Sequence, residues 1–541
     1  QVSTELNEQI LELRESDRNG VWARIIENSF APLFAGKFDV VVGNPPWLTW
    51  TKTPQLWREV AEEVWKRYGL WRIPREGNRR TSSLATGDVA ILVFASALHR
   101  YAEGDGVVGL LTPRSLINAD PAGRAFRQFR LKADNQDEAE FGGIDLPFRV
   151  LHADDWSQVR PFSPDATNAP FFLVARPGVE NQFPISTTQW HRAGSGRALA
   201  MEWSGVRPFL RPLEGQSNPV DRNVPTSAWS FQAAGAPPLL QGGENRWKFG
   251  KGLDTRGANG VFFVEVIEAD RPRGRVLVEN IPRAGRNASV KARKGWVEAS
   301  VVHPLLRGRD VAAWSAIPSG YIVAPYEPDA VGEYLAEDRF RSAFPAAWRW
   351  LRAHAPVLKA RKAPPTRQWN LEGADWCRLD GPMAHMDGSN IVVVRELQKR
   401  PAAAVLALRH DEFLGRTSQP LVDHKLIFCQ VDTPDEAVYL AAMINSTPMQ
   451  DLLASYANEI AISPQTLARL PIPDFDPVLH GAVVAAGGGA VKAVREGEEV
   501  DQIAVDNTVL EALCIPGYAP QSGLLGSDAS QAPQSAFDLK L

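Results

Sequence analysis

Asn44, Pro45, Pro46 and Trp47 stand in a row, and their types suit one kind of chemistry. Two consecutive prolines fix φ and remove two backbone donors, so the asparagine amide and the carbonyl between the prolines are held as a pair of oriented acceptors. Two acceptors aimed at one point suit an exocyclic amino group, which has two hydrogens to donate. Trp47 beside them offers a flat face on which a heterocycle can stack. Read this way, the four residues are catalytic candidates that hold an amino group on an aromatic base. The plainer reading of the same letters is a strand-ending turn.

The flanking sequence supplies the elements that must position this tip. "FDVVVG" (38 to 43) has no polar alternation and predicts a fully buried strand of the parallel-sheet kind. In open α/β sheets ligands bind beyond the carboxyl ends of strands, where the tip falls. Residues 4 to 35 read as one or two helices and residues 55 to 68 as another, while Asp88 caps an apolar helix from Val89 to Tyr101. Asp88 is a cap in any reading and a candidate substrate contact in one. "VVGLLTP" (107 to 113) predicts a second buried strand, "FRQFRL" (126 to 131) lies on a helix, and "APFFLVARPG" (169 to 178) is a further strand. This alternation is the grammar of a doubly wound α/β sheet of which about half is visible.

Domain organisation follows from the same pass. Residues 1 to 180 hold the partial sheet, and 181 to 246, rich in Gly, Pro, Ser and isolated Trp, read as an irregular connector. Residues 247 to 475 form a mixed α+β region whose strand-like runs include "GVFFVEVI", "YIVAPY", "NIVVVREL" and "HKLIFCQV", with helices at 343 to 355 and 435 to 455. Residues 476 to 541 give one helix, then a Gly, Ser, Gln and Pro tail from about 518 that is expected to be disordered.

Composition bounds the function. The 541 residues are 44% hydrophobic and 23% charged, with no apolar run near the ~18 residues of a membrane span. Cys377, Cys429 and Cys514 lie far apart with no paired spacing, which argues against a disulfide framework and a zinc site and fits a reducing cytoplasm. The chain opens at Gln1 and carries charges throughout residues 1 to 15, so no signal peptide is read and a piece of a longer protein is expected. Net charge is −4, yet residues 246 to 310 hold fourteen Lys or Arg against seven acids. That segment reads equally as a phosphate-facing surface or as an ordinary solvated face.

"FDVVVGNPPW" resembles the fourth conserved motif of the S-adenosylmethionine-dependent N6-adenine DNA methyltransferases, and residues 86 to 129 resemble the helix, proline-ended strand and "fR.F" helix that follow it in the gamma-order enzymes. The resemblance implies that Asn44 and the Pro45 carbonyl accept hydrogen bonds from the adenine amino group while the methyl is transferred in line from the sulfonium. It implies that Trp47 stacks on the flipped base, and that Phe171 or Phe172 covers its other face. Asn at position 44 favours adenine N6 over cytosine N4. "WKFGKGLDTRGANGVFFV" (247 to 264), "HPLLRGRDVAAW" (303 to 314) and "YLAAMINS…LPIP" (439 to 473) resemble the target-recognition domain of large single-chain methyltransferases found in type IIG restriction-modification enzymes and in BREX- or DISARM-like phage defence. Double-stranded DNA is the implied partner, with Arg114, Lys248, Lys251, Arg256, Arg307 and Arg309 as candidate substrate contacts.

The sequence departs from that pattern at the donor site. The gamma order places a Gly-rich donor loop before Asn-Pro-Pro, and only 43 residues precede the motif here, with no Phe/Pro-x-Gly-x-Gly among them. "VVAAGGGAVKAV" (483 to 494) reads as a helix with a glycine interruption rather than a displaced donor loop. An upstream cofactor-binding domain or subunit is therefore expected, and any nuclease is expected upstream too. Two alternatives stay open, a catalytically silent DNA-recognition module and a methyltransferase for RNA or protein.

Overall fold

The computed structural model describes residues 34–70, 88–118, 122–133, 144–159, 169–193, 202–236, 240–326, 337–362, 369–381 except 374, 390–396, 400–457 and 462–514, with residues 31, 161, 162, 334 and 335. The helices expected over 4 to 35, apart from residues 31, 34 and 35, and the tail from 518 fall outside these. The chain divides into two units, Gln1–Gly235 and Ala236–Leu541.

Unit 1 is built on one mixed sheet. Its strands are β1 (Phe38–Gly43), β2 (Ala102–Pro113), β3 (Arg130–Lys132), β4 (Asp145–Asp155), β5 (Pro170–Pro177), β6 (Ile185–Arg192), β7 (Leu210–Pro219) and β8 (Trp229–Ala233). They lie in the order β1-β2-β5-β4-β6-β7-β8, with β3 on β4. The β1–β2 pair is parallel and is joined through helices α1 (Gln55–Arg67) and α2 (Val89–Ser96, continued by a π-helical turn over Ala97–Tyr101). The mixed α/β class is as the sequence predicts, and Asp88 caps α2 by accepting from the Ala90 amide at 2.9 Å. Because α2 is apolar all round, it is buried on most sides: Phe94, Ala95 and Leu98 join Val108, Leu110, Phe171 and Leu173 in the core.

Three expectations are corrected. The β1 strand is an edge strand, not a buried one. Val41 packs against the core, but Val40 and Val42 are 63% and 72% exposed. Its only strand partner is β2, so one hydrogen-bonding edge of β1 is unpaired among the described residues. The segment 181 to 246 is not an irregular connector, since it carries β6, β7 and β8. "ISTTQWHR" shows no apolar alternation because main-chain pairing to β4 and β7 holds it, while its side chains are largely polar. Finally, "FRQFRL" is not one helix. The helix ends at Phe126, Phe129 takes a positive φ of 54°, and Arg130–Lys132 pair with β4.

Unit 2 holds, in chain order, β9 (Gly250–Lys251), β10 (Phe263–Asp270), β11 (Arg275–Asn280), β12 (Lys294–Glu298), β13 (Val302–Leu306), β14 (Val311–Ala312), β15 (Ser315–Ala316), β16 (Gly320–Val323), β17 (Asn390–Arg395), β18 (Ala403–Leu406), β19 (Arg409–Asp411), β20 (Arg416–Ser418), β21 (Leu421–Val422) and β22 (Leu426–Val431). One sheet runs β12-β11-β10-β16-β13-β21 and another β18-β17-β22-β9. Helices α3 (Pro434–Asn445) and α4 (Thr447–Tyr456) follow, then α5 (Gly481–Glu496) and α6 (Gln502–Ala512), where one helix was expected. The glycine run of "VVAAGGGAVKAV" lies inside α5. A Cβ on Gly487 would sit 2.9 Å from a Val438 methyl, so the glycine lets α5 approach α3 closely. No helix among the described residues is long and apolar enough to cross a membrane.

Arg114 and Asp155 form an ion pair at 3.2 Å with side chains only 4% and 2% exposed. Removing one partner strands a buried charge, whereas replacing both leaves none. Arg114→Ala is therefore expected to cost about 3–5 kcal/mol in urea unfolding, and Arg114→Met with Asp155→Leu is expected to recover most of that loss. Equal losses in the single and double variants would show that the pair is not what holds this corner.

Candidate functional site

The tip after β1 is fastened at three points. Gly43 pairs with Leu110, which sets Asn44 beside the end of β2. The Trp47 indole N–H donates to the Leu111 carbonyl at 3.1 Å, and the Val89 amide donates to the Leu48 carbonyl at 2.9 Å. Pro45 is buried, Trp47 is half-buried, and Asn44 is exposed. Asp88 is 4% exposed, and burial raises its pKa against the lowering effect of the Ala90 and Leu48 amides. It is spent on the cap.

Beyond the tip, the sheet carries a row of side chains on one face. Leu111 pairs with Phe172, Phe172 with Asp154, Asp154 with Thr188, and Thr188 with Glu214. Directly paired residues share a face, so these five lie side by side across β2, β5, β4, β6 and β7. Together with Gly43 and Asn44, the residues Leu111, Phe172, Asp154, Trp156 and Phe162 line a concavity of about 500 Å³. The Phe162 ring meets Trp47 edge-on, with centroids 5.5 Å apart. At Gly109, a Cβ would lie 2.8 Å from the tip of the Phe172 ring, so the glycine is what lets that ring lie flat over β2.

The polar wall of the concavity is braced from behind. Asp154 accepts from the Trp190 indole N–H at 2.8 Å, and Trp190 stacks on Trp156 at 4.9 Å and 12°. His152 stands 3.6 Å from Asp154, and the hydrogen bond to that carboxylate raises its pKa. An apolar slot with aromatic faces, an exposed amide at one end and a fixed carboxylate at the other can receive a planar heterocycle bearing N–H donors.

Several predicted contacts are placed elsewhere. Phe171 is 1% exposed and packs edge-on against Trp229, because strand alternation turns it to the core and its neighbour Phe172 to the concavity. Arg114 is buried against Asp155. Asp154, Trp156, Phe162 and Gly109 escape the sequence reading. The signal was "HADDW" at the end of β4, a strand whose "RVLHADD" mixes charges into both faces and so lacks a readable period.

In unit 2, Lys248 is exposed, but Lys251 pairs with Glu396 at 2.5 Å. Arg256, at a positive φ of 53°, pairs with Asp254 and Asp380 and ties two loops together. Arg307 is held by the Ser319 hydroxyl at 2.9 Å with Asp310 beside it, while Arg309 is 66% exposed. The "INS" letters also have a structural task. The Asn445 amide exchanges two 2.9 Å hydrogen bonds with the backbone of Ala403, fastening α3 to β18.

Donor binding is a separate question from base binding. No described segment of unit 1 offers a Gly-rich strand-to-helix turn beside β1, and the glycine run of unit 2 is inside α5. The described residues do not fit the methyl donor.

Residues 3–140 match the family model of the Eco57I restriction-modification methylases. No curated protein matches the chain. Among solved structures, the chain is similar to the type IIL restriction-modification enzyme MmeI, solved in complex with DNA, at 10% identity and a TM-score of 0.50 over 90% of this chain. It spans 55% of that protein's length, and at this identity the likeness shows the fold alone. The type IIG restriction endonuclease BpuSI is aligned over 89% of this chain and 55% of its own at 11% identity, but its TM-score of 0.26 adds nothing to the fold assignment.

The Gly109–Phe172 contact makes a testable pair. Phe172→Ala is expected to weaken binding of an oligonucleotide duplex with an extrahelical adenine about tenfold, the order of one lost base–aromatic stack. Gly109→Ala, which only pushes the ring, is expected to reproduce part of that loss at unchanged stability. Anisotropy titrations in which Gly109→Ala binds like the wild type would show that the ring is not held in place by the glycine.

Proposed function

We propose that unit 1 is the target-base half of an S-adenosylmethionine-dependent DNA methyltransferase acting on adenine N6, in a restriction-modification or phage-defence system. The observation that carries this reading is Asn44 at the end of β1, opening into a slot walled by Phe172, Trp156 and Phe162. The match of residues 3–140 to restriction-modification methylases supports it.

In this reading adenine leaves the duplex at a cost of a few kcal/mol and enters the slot. Asn44 and the Pro45 carbonyl accept from its amino group, which raises electron density on N6. Phe172 and Trp47 exclude water from the ring. The methyl donor and its site belong to an upstream domain or subunit, and the apolar row Val40 and Val42 on the uncovered face of β1 is suited to receive it. Arg309 and Lys248, both exposed, serve duplex DNA, whereas Lys251 and Arg256 are spent on ion pairs. Domain boundaries move accordingly: the catalytic part extends to about Gly235 and the recognition part begins near Ala236.

A second reading, a DNA-recognition module that is silent by itself, is favoured by the missing donor turn. Methyl transfer by the complete enzyme separates the two: Asn44→Ala is expected to abolish it with duplex binding retained, and methylation unchanged by Asn44→Ala favours the second. For the base, duplexes carrying extrahelical adenine are compared with others carrying purine, which lacks the 6-amino group. Adenine is expected to bind about tenfold tighter, the value of one or two neutral hydrogen bonds. Asn44→Ala is expected to abolish that preference. Equal binding of adenine and purine by the wild-type chain would sink the adenine reading, as would N4-methylcytosine in DNA modified by the complete enzyme.

A further inference from the structure

In unit 2 the ends of strands from both sheets converge on one concavity of about 730 Å³. The β13 strand runs out into Arg307, Gly308 and Arg309, and β21 into Asp423. Arg395 closes β17 opposite Leu426, with Lys425 one residue before β22 begins. The 3-10 turn after β11 adds Arg283. Strand ends leave main-chain groups and side chains free to point outward, which is why a convergence of this kind collects charge rather than core.

Five cations line this space, Arg283, Arg307, Arg309, Arg395 and Lys425, against Glu265 and Asp423. Their partners divide them. Asp310 serves both Arg307 and Arg309, at 3.7 Å from each, and Asp423 is engaged by His424 at 2.7 Å. Arg283, Arg395 and Lys425 form no ion pair among the described residues. Burial and the neighbouring Arg309 lower the pKa of Arg307 against the raising effect of Asp310 and Asp423. The contrast with Lys251 and Arg256, each matched to carboxylates, is direct.

We propose that this concavity is a phosphate-binding site over which the sugar–phosphate backbone of duplex DNA crosses unit 2. The choice of DNA over another polyanion rests on the function proposed above. A base-reading or mononucleotide pocket fits the site less well. The ring among its lining residues, Phe263, is 4% exposed and packed in the core, so no aromatic face is offered to a base. The cations come from the ends of β13 and β17, the residue before β22 and the turn after β11 rather than from one loop, which suits contacts to more than one phosphate.

The test uses the full chain and a mixed-sequence duplex of about 30 base pairs. Binding is followed by anisotropy from about 50 to 300 mM salt. Each phosphate contact removed lowers the slope of log K against log salt by about 0.9. Arg283→Gln with Arg395→Gln and Lys425→Gln is expected to reduce the slope by between two and three and to weaken binding at least tenfold at low salt. Arg341→Gln, an exposed cation elsewhere in unit 2, is expected to leave it unchanged. If the triple variant loses its circular dichroism, Lys425→Gln alone, at an exposed position, is read for its single decrement. An unchanged slope overturns the proposal. Saturable binding of inorganic phosphate or adenosine monophosphate, with DNA salt dependence unaltered by these variants, overturns it in favour of a small-anion site. Failure of the adenine reading would appear as equal adenine and purine binding by the wild type while this slope still responded, so the two failures are told apart.

Discussion

The parallel pairing of β1 with β2 is the constraint on which the site depends. Gly43, the last residue of β1, lies opposite Leu110, so the chain leaving β1 runs beside the last residues of β2, Leu111 to Pro113. Trp47 then returns its indole N–H to the Leu111 carbonyl, and Leu48 offers its carbonyl to the first residue of α2. A flexible tip tied at both ends costs little further entropy when a ligand arrives. The prolines contribute the same stiffness from within, by removing φ freedom at 45 and 46.

Strand alternation assigns the remaining work. Phe171 and Phe172, or Asp154 and Asp155, are adjacent and chemically alike, yet one of each pair builds the core and the other the concavity. Asp155 goes inward and is held by Arg114; Asp154 goes outward and is held by Trp190. The inward pair secures the corner where β2 and β4 end, and the outward one sets the polar wall. Gly109 belongs to the same scheme, since removing its side chain is what leaves room for the Phe172 ring.

Unit 2 applies a different economy. Letters that resemble recognition motifs, "RGRD" and "INS", turn out to brace the fold: Asp310 accepts from the Arg307 amide at 2.8 Å, and Asn445 ties α3 to β18. Cations divide into those matched to acids, which hold loops together, and those such as Arg283, Arg395 and Lys425, which form no ion pair among the described residues. Exposed ion pairs contribute little stability, so Arg256 acts chiefly through geometry, linking the backbone near Asp254 to that near Asp380.

By itself the sequence determined the tip, the apolar helix with its Asp88 cap, the proline-ended strand and the mixed α/β class. Each of these is a local pattern: proline restricts its own φ, a cap satisfies its own helix, and apolar runs announce burial without needing a partner. Only the tertiary structure decided that β1 is an edge, that 185–233 completes the sheet, that Phe172 rather than Phe171 faces the slot, and that Asp154, Trp156 and Phe162 join it. Those outcomes depend on register and on which strand lies beside which. A strand of mixed polarity such as β4 carries no period from which to read its faces, and the pairing of a cation with an acid 124 residues away, as in Arg256 with Asp380, leaves no mark on the spacing of either.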